Sequence, residues 1–220
     1  TNLLDIDNYL KSINNKELSF DSLKMIIEEA GKFACDELDT INQVGDQEGI
    51  KLENGVVRMP ESFIKAYKNF VNTGWFSIIG EKKYGGQDLP LSAVVMINEI
   101  WHSTNMSFAT NNMLTQGAVE LLESHGSEKQ KEYYLPNLIS GKWSGTMNLT
   151  EPHAGSDLSS IKTKAIEKDK QFFIKGTKIY ITHGDQDMSD NIIHLVLAKL
   201  PNAPEGVRGI SLFLVPKYYF

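Results

Sequence analysis

The chain follows two hydrophobic rules that change near residue 142. Before that point apolar residues return every three or four positions, the period of a helix with one buried face; after it they alternate or run in short blocks, as strands do. Leu23, Ile26, Ile27, Ala30, Phe33 and Ala34 trace one stripe behind Asp21, a capping residue type. A second helix opens at Pro60, presents Phe63, Ala66, Tyr67, Phe70 and Val71, and ends near Gly74. A third starts near Pro90 and carries Ala93, Val94, Ile97 and Trp101 up to the polar cluster Ser103, Thr104, Asn105; a fourth covers about 108–123. Gly126 suits a left-handed helix end, and Ser127 with Gln130 has the spacing of a capping box. The helix it opens carries Tyr134, Leu135, Leu138 and Ile139, with Pro136 bending it before Gly141. Cys35, beside Phe33 and Ala34, reads as a small buried hydrophobe.

Beyond Trp143, six blocks read as strands: 144–150, 161–167, 172–175, 178–182, 192–200 and 210–215. Asp169-Lys170 and Lys175-Gly176 supply turns, and Pro201, Pro204 and Gly206 a surface loop, which predicts an antiparallel sheet or barrel. The expected fold class is α+β, an N-terminal α-helical bundle over 1–142 followed by an antiparallel β-barrel-like domain over 143–220.

Composition narrows the function classes. With 220 residues, 41% of them hydrophobic, the chain can build a full core. A net charge of −6 leaves no general basic field for nucleic acid or anionic lipid. No apolar run approaches the roughly 20 residues that span a bilayer. One cysteine excludes an internal disulfide framework and a Cys-based zinc cluster, which points to a reducing, cytoplasmic setting. The five histidines, His102, His125, His153, His183 and His194, lack metal-ligand spacing, so no metal site is expected.

The chemistry concentrates in Met147-Asn148-Leu149-Thr150-Glu151-Pro152-His153-Ala154-Gly155-Ser156-Asp157. A strand with a hydroxyl residue runs into a Pro turn and then into small residues whose backbone N–H groups are accessible to an anion or a planar heterocycle. On composition alone an ordinary turn is the commoner reading of Pro and Gly at the end of a strand. Thr150 and Thr182 are likewise β-branched strand residues, and Tyr180 a half-buried sheet aromatic.

The segment resembles the Thr-Glu-Pro-x-Ala-Gly-Ser-Asp signature of the acyl-CoA dehydrogenase family, with every fixed position present. Tyr180-Ile181-Thr182-His183-Gly184 is similar to the family's aromatic-Ile-Thr-Asn-Gly block, and further likeness lies in Gly74-Trp75, Tyr84-Gly85-Gly86-Gln87, Leu135-Pro136 and the stretch 209–216. The resemblance implies FAD as cofactor. Met147, Leu149 and Thr150 would face the pyrimidine edge of the isoalloxazine, Thr182 would lie beside N5, and Tyr180, followed by Ile181, would cover one ring face. Gly155 and Ser156 would line the cofactor or thioester passage, with Ser156 also toward the substrate. The family more often has Trp or Phe at the position of Tyr180 and Asn at that of His183. Met96, Met106 and Met113 read as core, with an acyl tunnel as the alternative.

The activity so implied is α,β-dehydrogenation of an acyl-CoA thioester to a trans-2-enoyl-CoA, hydride passing to flavin N5 and onward to electron-transferring flavoprotein. The family's base is a carboxylate on a C-terminal helical domain. No catalytic residue is therefore expected among these 220, and Glu151 belongs to the signature turn. A start at Thr1 and an end just after a strand-like run predict a portion of a longer enzyme, inactive alone, that forms a homodimer or homotetramer when whole. The long N-terminal segment, Asn148-Leu149-Thr150, His153 and the loop 201–209 look most like a larger bacterial subgroup that includes 3-methylmercaptopropionyl-CoA dehydrogenases, implying a short or sulfur-containing acyl chain. An acyl-CoA oxidase using O₂ and a non-catalytic flavin-binding or assembly module are the alternatives.

Overall fold

Capping chemistry sets where the helices begin. In the computed structural model, which describes residues 5–13 and 18–219, a short helix α1 (Ile6–Ser12) precedes α2 (Phe20–Phe33). The cap of α2 is Ser19 rather than Asp21: Ser19 Oγ accepts from the Ser22 N–H at 3.1 Å and Ser22 Oγ from the Ser19 N–H at 2.8 Å. Helix α2 continues through a π-helical turn (Ala34–Asp39) into α3 (Thr40–Glu48). Ala30, Ala34, Leu38 and Ile41 form its buried stripe, and Cys35, one position off that stripe, is exposed rather than buried.

After α3 the chain makes a hairpin that helical periodicity does not predict: β1 (Lys51–Glu53) pairs antiparallel with β2 (Val56–Arg58). Asn54 and Gly55, both at positive φ (52° and 79°), make its two-residue turn. Pro60 and Pro90 stand just ahead of α4 (Glu61–Asn72) and α5 (Leu91–Thr104) as cap residues. Asn105 Oδ1 accepts the Phe108 N–H at 3.1 Å and caps α6 (Met106–His125). Gly126 is extended, with φ −68°, rather than left-handed, and the expected box of Ser127 and Gln130 opens α7 (Glu128–Ile139). Phe70 is the hub of the helical core, its ring 4.7 Å from Trp101, 5.1 Å from Phe76, 5.5 Å from Phe108 and 5.6 Å from Phe33, all edge-on.

The sheet holds β3 (Trp143–Asn148), β4 (Lys164–Lys168), β5 (Gln171–Lys175), β6 (Asn191–Lys199) and β7 (Ile210–Pro216). Its order is β3-β6-β4-β5, with β7 on β6. The α+β class holds, but the sheet is mixed: β3 and β6 run parallel from Trp143 opposite Asn191 to Asn148 opposite Val196, and β4 meets β6 in parallel at Lys164 and Lys199. The β4–β5 and β6–β7 pairs are antiparallel. The long connection from β3 to β6 permits the parallel crossover, and β6, apolar almost throughout, is buried as a central strand. Residues 178–182 are no strand, because Tyr180 and His183 take φ of 56° and 50°, which breaks an extended ladder. Among the described residues no helix is long and apolar enough to cross a membrane, and no group of three or more His, Cys, Asp and Glu is gathered to hold a metal.

Two contacts fix β3 and the turn at its end. Gly145 lets β3 lie directly on α6, since a Cβ there would sit 2.5 Å from that of Ala118, and its N–H donates to Thr115 Oγ1 at 3.1 Å. Past the end of β3, the carboxylate of Glu151, 3% exposed, accepts the Lys162 N–H at 2.7 Å, the Thr163 N–H at 3.0 Å and the Lys178 ammonium at 2.9 Å. Burial alone would raise this carboxyl's pKa, but the hydrogen bonds outweigh it and hold it at about 2.

Three outcomes are expected. Phe70→Ala lowers urea-unfolding stability by about 3–5 kcal/mol through the cavity it leaves. Gly145→Val, forced against α6, costs about 1–3 kcal/mol in the same measurement. Glu151 binds its proton far more weakly folded than unfolded, so its contribution is complete above about pH 5 and disappears as pH falls toward 2. Glu151→Gln should flatten the stability decline over that window by about 3 kcal/mol. An unchanged slope would remove Glu151 from that role.

Candidate functional site

Two stretches of irregular backbone meet at the end of β3. The first, 149–157, closes on itself: the Glu151 N–H donates to the Ala154 carbonyl at 2.8 Å and the Ala154 N–H to the Glu151 carbonyl at 3.0 Å, a tight turn around Pro152 and His153. The second, 178–185, lies against it. Its Ile179 N–H donates to the Thr150 carbonyl at 3.0 Å, and Lys178 Nζ reaches the Leu149 carbonyl at 3.0 Å. The first signature block and the two residues that lead into the second, far apart in sequence, are thus hydrogen-bonded neighbours.

The expected site residues divide by surroundings. Met147 is half-buried on β3 and packs against the hydrophobic core that helices and sheet share. Leu149 and Thr150 are half-buried where the two stretches join. A Cβ on Gly155 would lie 3.6 Å from the Thr150 methyl, an ordinary contact, so nothing within the described chain requires glycine there. Ser156 is exposed beside Asp157, whose Oδ1 accepts the Ser159 N–H at 2.9 Å; bonds from Ser159 hold that carboxyl below its usual range. Tyr180 is 90% exposed in a left-handed conformation. A bulky aromatic held there buries almost nothing in this chain and carries strain of order 1–3 kcal/mol, a combination that marks functional positions more than structural ones.

Ile181, Thr182 and His183 line a cleft of about 490 Å³ together with Ile50, Val57, Met59, Phe63 and Thr110. His183 Nε2 lies 2.8 Å from the Ser107 carbonyl, which can only accept, so the proton sits on Nε2. Burial pushes this imidazole below its ordinary value, so it is neutral at pH 7 and donates as an amide would. The Met59 part of the cleft is fixed by Asp187, which accepts the Met59 N–H at 2.9 Å and pairs with Arg58 at 3.2 Å. The structure therefore joins Leu149 and Thr150 to Lys178 and Ile179, and Gly155 to Thr150. It sets Ile181 and Thr182 apart in the cleft. Met106 and Met113, 59% and 44% exposed, lie on the surface of α6 rather than in the core.

Sequence reasoning missed Lys178, Asp187 and the hairpin. The hairpin had a signal, Asn54-Gly55 between Leu52 and Val56. Lys178 had a weaker one, a cation opening a run that alternates apolar and polar residues.

Comparison with known proteins agrees with the two-part architecture. Residues 21–142 match the acyl-CoA dehydrogenase N-terminal domain and 146–218 the acyl-CoA dehydrogenase middle domain. The chain is 48% identical to 3-methylmercaptopropionyl-CoA dehydrogenase of Ruegeria pomeroyi over 91% of its length, which is 34% of that relative. It superposes with a TM-score of 0.75 on an acyl-CoA dehydrogenase from Geobacillus kaustophilus, at 28% identity, covering 92% of this chain and 49% of that one. A structure described as the FAD complex of PigA gives a TM-score of 0.71 at 27% identity, covering 91% of this chain and 49% of that one. The chain thus spans about a third of the curated relative and half of the solved structures. With both domain matches covering most of its length, the chain belongs to the acyl-CoA dehydrogenase family.

Proposed function

We propose that this chain is the flavin-binding portion of an enzyme that dehydrogenates an acyl-CoA thioester to a trans-2-enoyl-CoA. The observation that carries the reading is the junction of 149–157 with 178–182, which leaves donors and an aromatic ring unused by the described residues. Among the described residues no acceptor meets the Thr150 N–H or hydroxyl, and Tyr180 is almost fully exposed. Such groups fit a planar heterocycle with carbonyl and ring-nitrogen acceptors.

When bound, FAD supplies the hydride acceptor. Met147, Leu149 and Thr150 would hold its pyrimidine edge, with the Thr150 N–H and hydroxyl as the donors that substitute for water. Thr182 would stand beside the reacting ring nitrogen, and Ile181 would support it from the cleft wall. Tyr180 would cover one ring face by stacking. Gly155 and Ser156 would border the passage of the thioester, Gly155 by lacking a side chain and Ser156 by its hydroxyl. Exposed Met106 and Met113 on α6 would meet the acyl chain, a surface that adapts to thioether or short aliphatic tails. The base belongs to the remainder of the longer protein, as does most of its dimer or tetramer contact. Electron-transferring flavoprotein is the proposed acceptor and the cytoplasm the proposed setting.

The full-length protein should purify yellow with FAD. It should convert short-chain or thioether acyl-CoA esters to enoyl-CoA with an artificial electron acceptor, followed by absorbance and product mass. Turnover with O₂ alone would make it an oxidase instead, and bound flavin without product a binding module. Tyr180→Gly should keep the urea stability of the ligand-free protein within about 1 kcal/mol, since strain relief offsets lost side-chain contact. The same substitution should weaken FAD binding at least fivefold. An equal loss in both measurements would make Tyr180 structural.

A further inference from the structure

Lys178 does more than neutralise Glu151. Its side chain is 9% exposed, and its ammonium makes two short contacts, with Glu151 Oε1 at 2.9 Å and with the Leu149 carbonyl at 3.0 Å. Glu151 is itself fixed by the backbone N–H groups of Lys162 and Thr163, so the ammonium is tethered to a rigid point rather than to a mobile partner. The second contact has a stereochemical consequence. No described peptide bond is cis, and in a planar trans peptide the carbonyl and the following N–H point in opposite directions. With the Leu149 carbonyl drawn to the Lys178 ammonium, the Thr150 N–H is turned away from that ammonium. The next peptide obeys the same geometry: the Thr150 carbonyl takes the Ile179 N–H, and the Glu151 N–H turns back to Ala154. Of these two consecutive N–H groups, one is satisfied inside the turn. The other, that of Thr150, meets no acceptor among the described residues.

We propose that Lys178 is a positioning residue: by capturing the Leu149 carbonyl it aims the Thr150 N–H outward as a preformed donor to an acceptor atom of the bound cofactor. This rests on the reading of the site as a flavin site. An ammonium suits the task because it is compact, carries three donors and can serve a carboxylate and a carbonyl together. The Glu151 pair holds the lysine; the Leu149 contact transmits its position. Lys178 touches neither cofactor nor substrate in this arrangement.

The test uses the full-length protein with FAD as the probe. Lys178→Met removes the donor and keeps the aliphatic stem, and Lys178→Arg keeps a cationic donor. FAD dissociation constants from fluorescence quenching should rise at least tenfold for Lys178→Met, with a displaced flavin absorption envelope. They should stay within about threefold of wild type for Lys178→Arg. A folded Lys178→Met protein that binds FAD with wild-type affinity and spectrum overturns the proposal, and so does an Arg variant as weak as the Met variant. A second measurement does not depend on the variants folding. Hydrogen–deuterium exchange at the Thr150 amide of the wild type should slow at least tenfold when FAD binds to the apoprotein, and an unchanged rate is equally fatal. If the wild-type full-length protein takes up no FAD at all, the flavin reading itself fails, an outcome separate from either result on Lys178.

Discussion

The arrangement of the site depends on one buried carboxylate. Glu151 gathers two backbone N–H groups from the approach to β4 and an ammonium from the approach to the 180s loop, so three chain segments converge on a single side chain. The ion pair alone would face a desolvation cost comparable to its Coulombic gain, and the backbone N–H groups of Lys162 and Thr163 tip the balance toward the charged carboxylate. Its value lies in specificity of arrangement: removing either partner strands a charge in a dry place, which makes alternative packings of these loops unfavourable. Irregular backbone without a ladder to align it is held by this means in one geometry.

The helical half serves the same end from the other side. Edge-on rings around Phe70 make a stiff block, and the close approach of β3 to α6 at Gly145 fastens the sheet to it. Met147 packs on the core shared by helices and sheet, and the chain just beyond it carries the candidate site. The cleft bearing Thr182 is walled by the β1–β2 hairpin, which Asp187 ties to the loop ahead of β6. Rigid helices thus determine the position of β3, and polar clamps determine the loops at its end. The division stems from chemistry: apolar faces can be buried by helices, whereas loop backbone needs explicit hydrogen-bond partners.

Legibility in the residues divides along the same line. Helical stripes such as Phe63, Ala66, Tyr67 and Phe70 are legible because burial repeats with the helix period. Strand existence is legible for β6 and β7, but not the parallel pairing of β3 with β6, since period carries no information on direction. Residues 178–182 alternate apolar and polar as a strand does, yet positive φ at Tyr180 breaks the ladder; local pattern loses there to hydrogen bonds from outside the segment. Cys35 departs from expectation by one position on its helix, and Asp21 gives way to Ser19 as cap because the reciprocal bond to Ser22 is the better local solution. The signature blocks are recognisable, and their contact through Lys178 is not, because a lysine's partner lies in three dimensions rather than in spacing.

The parallel pairing of β3 with β6 also bears on the order in which the chain can assemble. The β4–β5 hairpin closes over two residues and can form early, whereas Trp143 must find Asn191 across the whole intervening loop. Both signature blocks lie inside that loop. Their contact spans fewer residues than the strand pairing does, so it closes a shorter loop, whereas during synthesis the pairing itself cannot be made until β6 has left the ribosome. Until then the apolar face of β3 has only the finished helices to cover it, which gives the close fit of Gly145 against α6 a second value as an early shelter for a strand still lacking its neighbour.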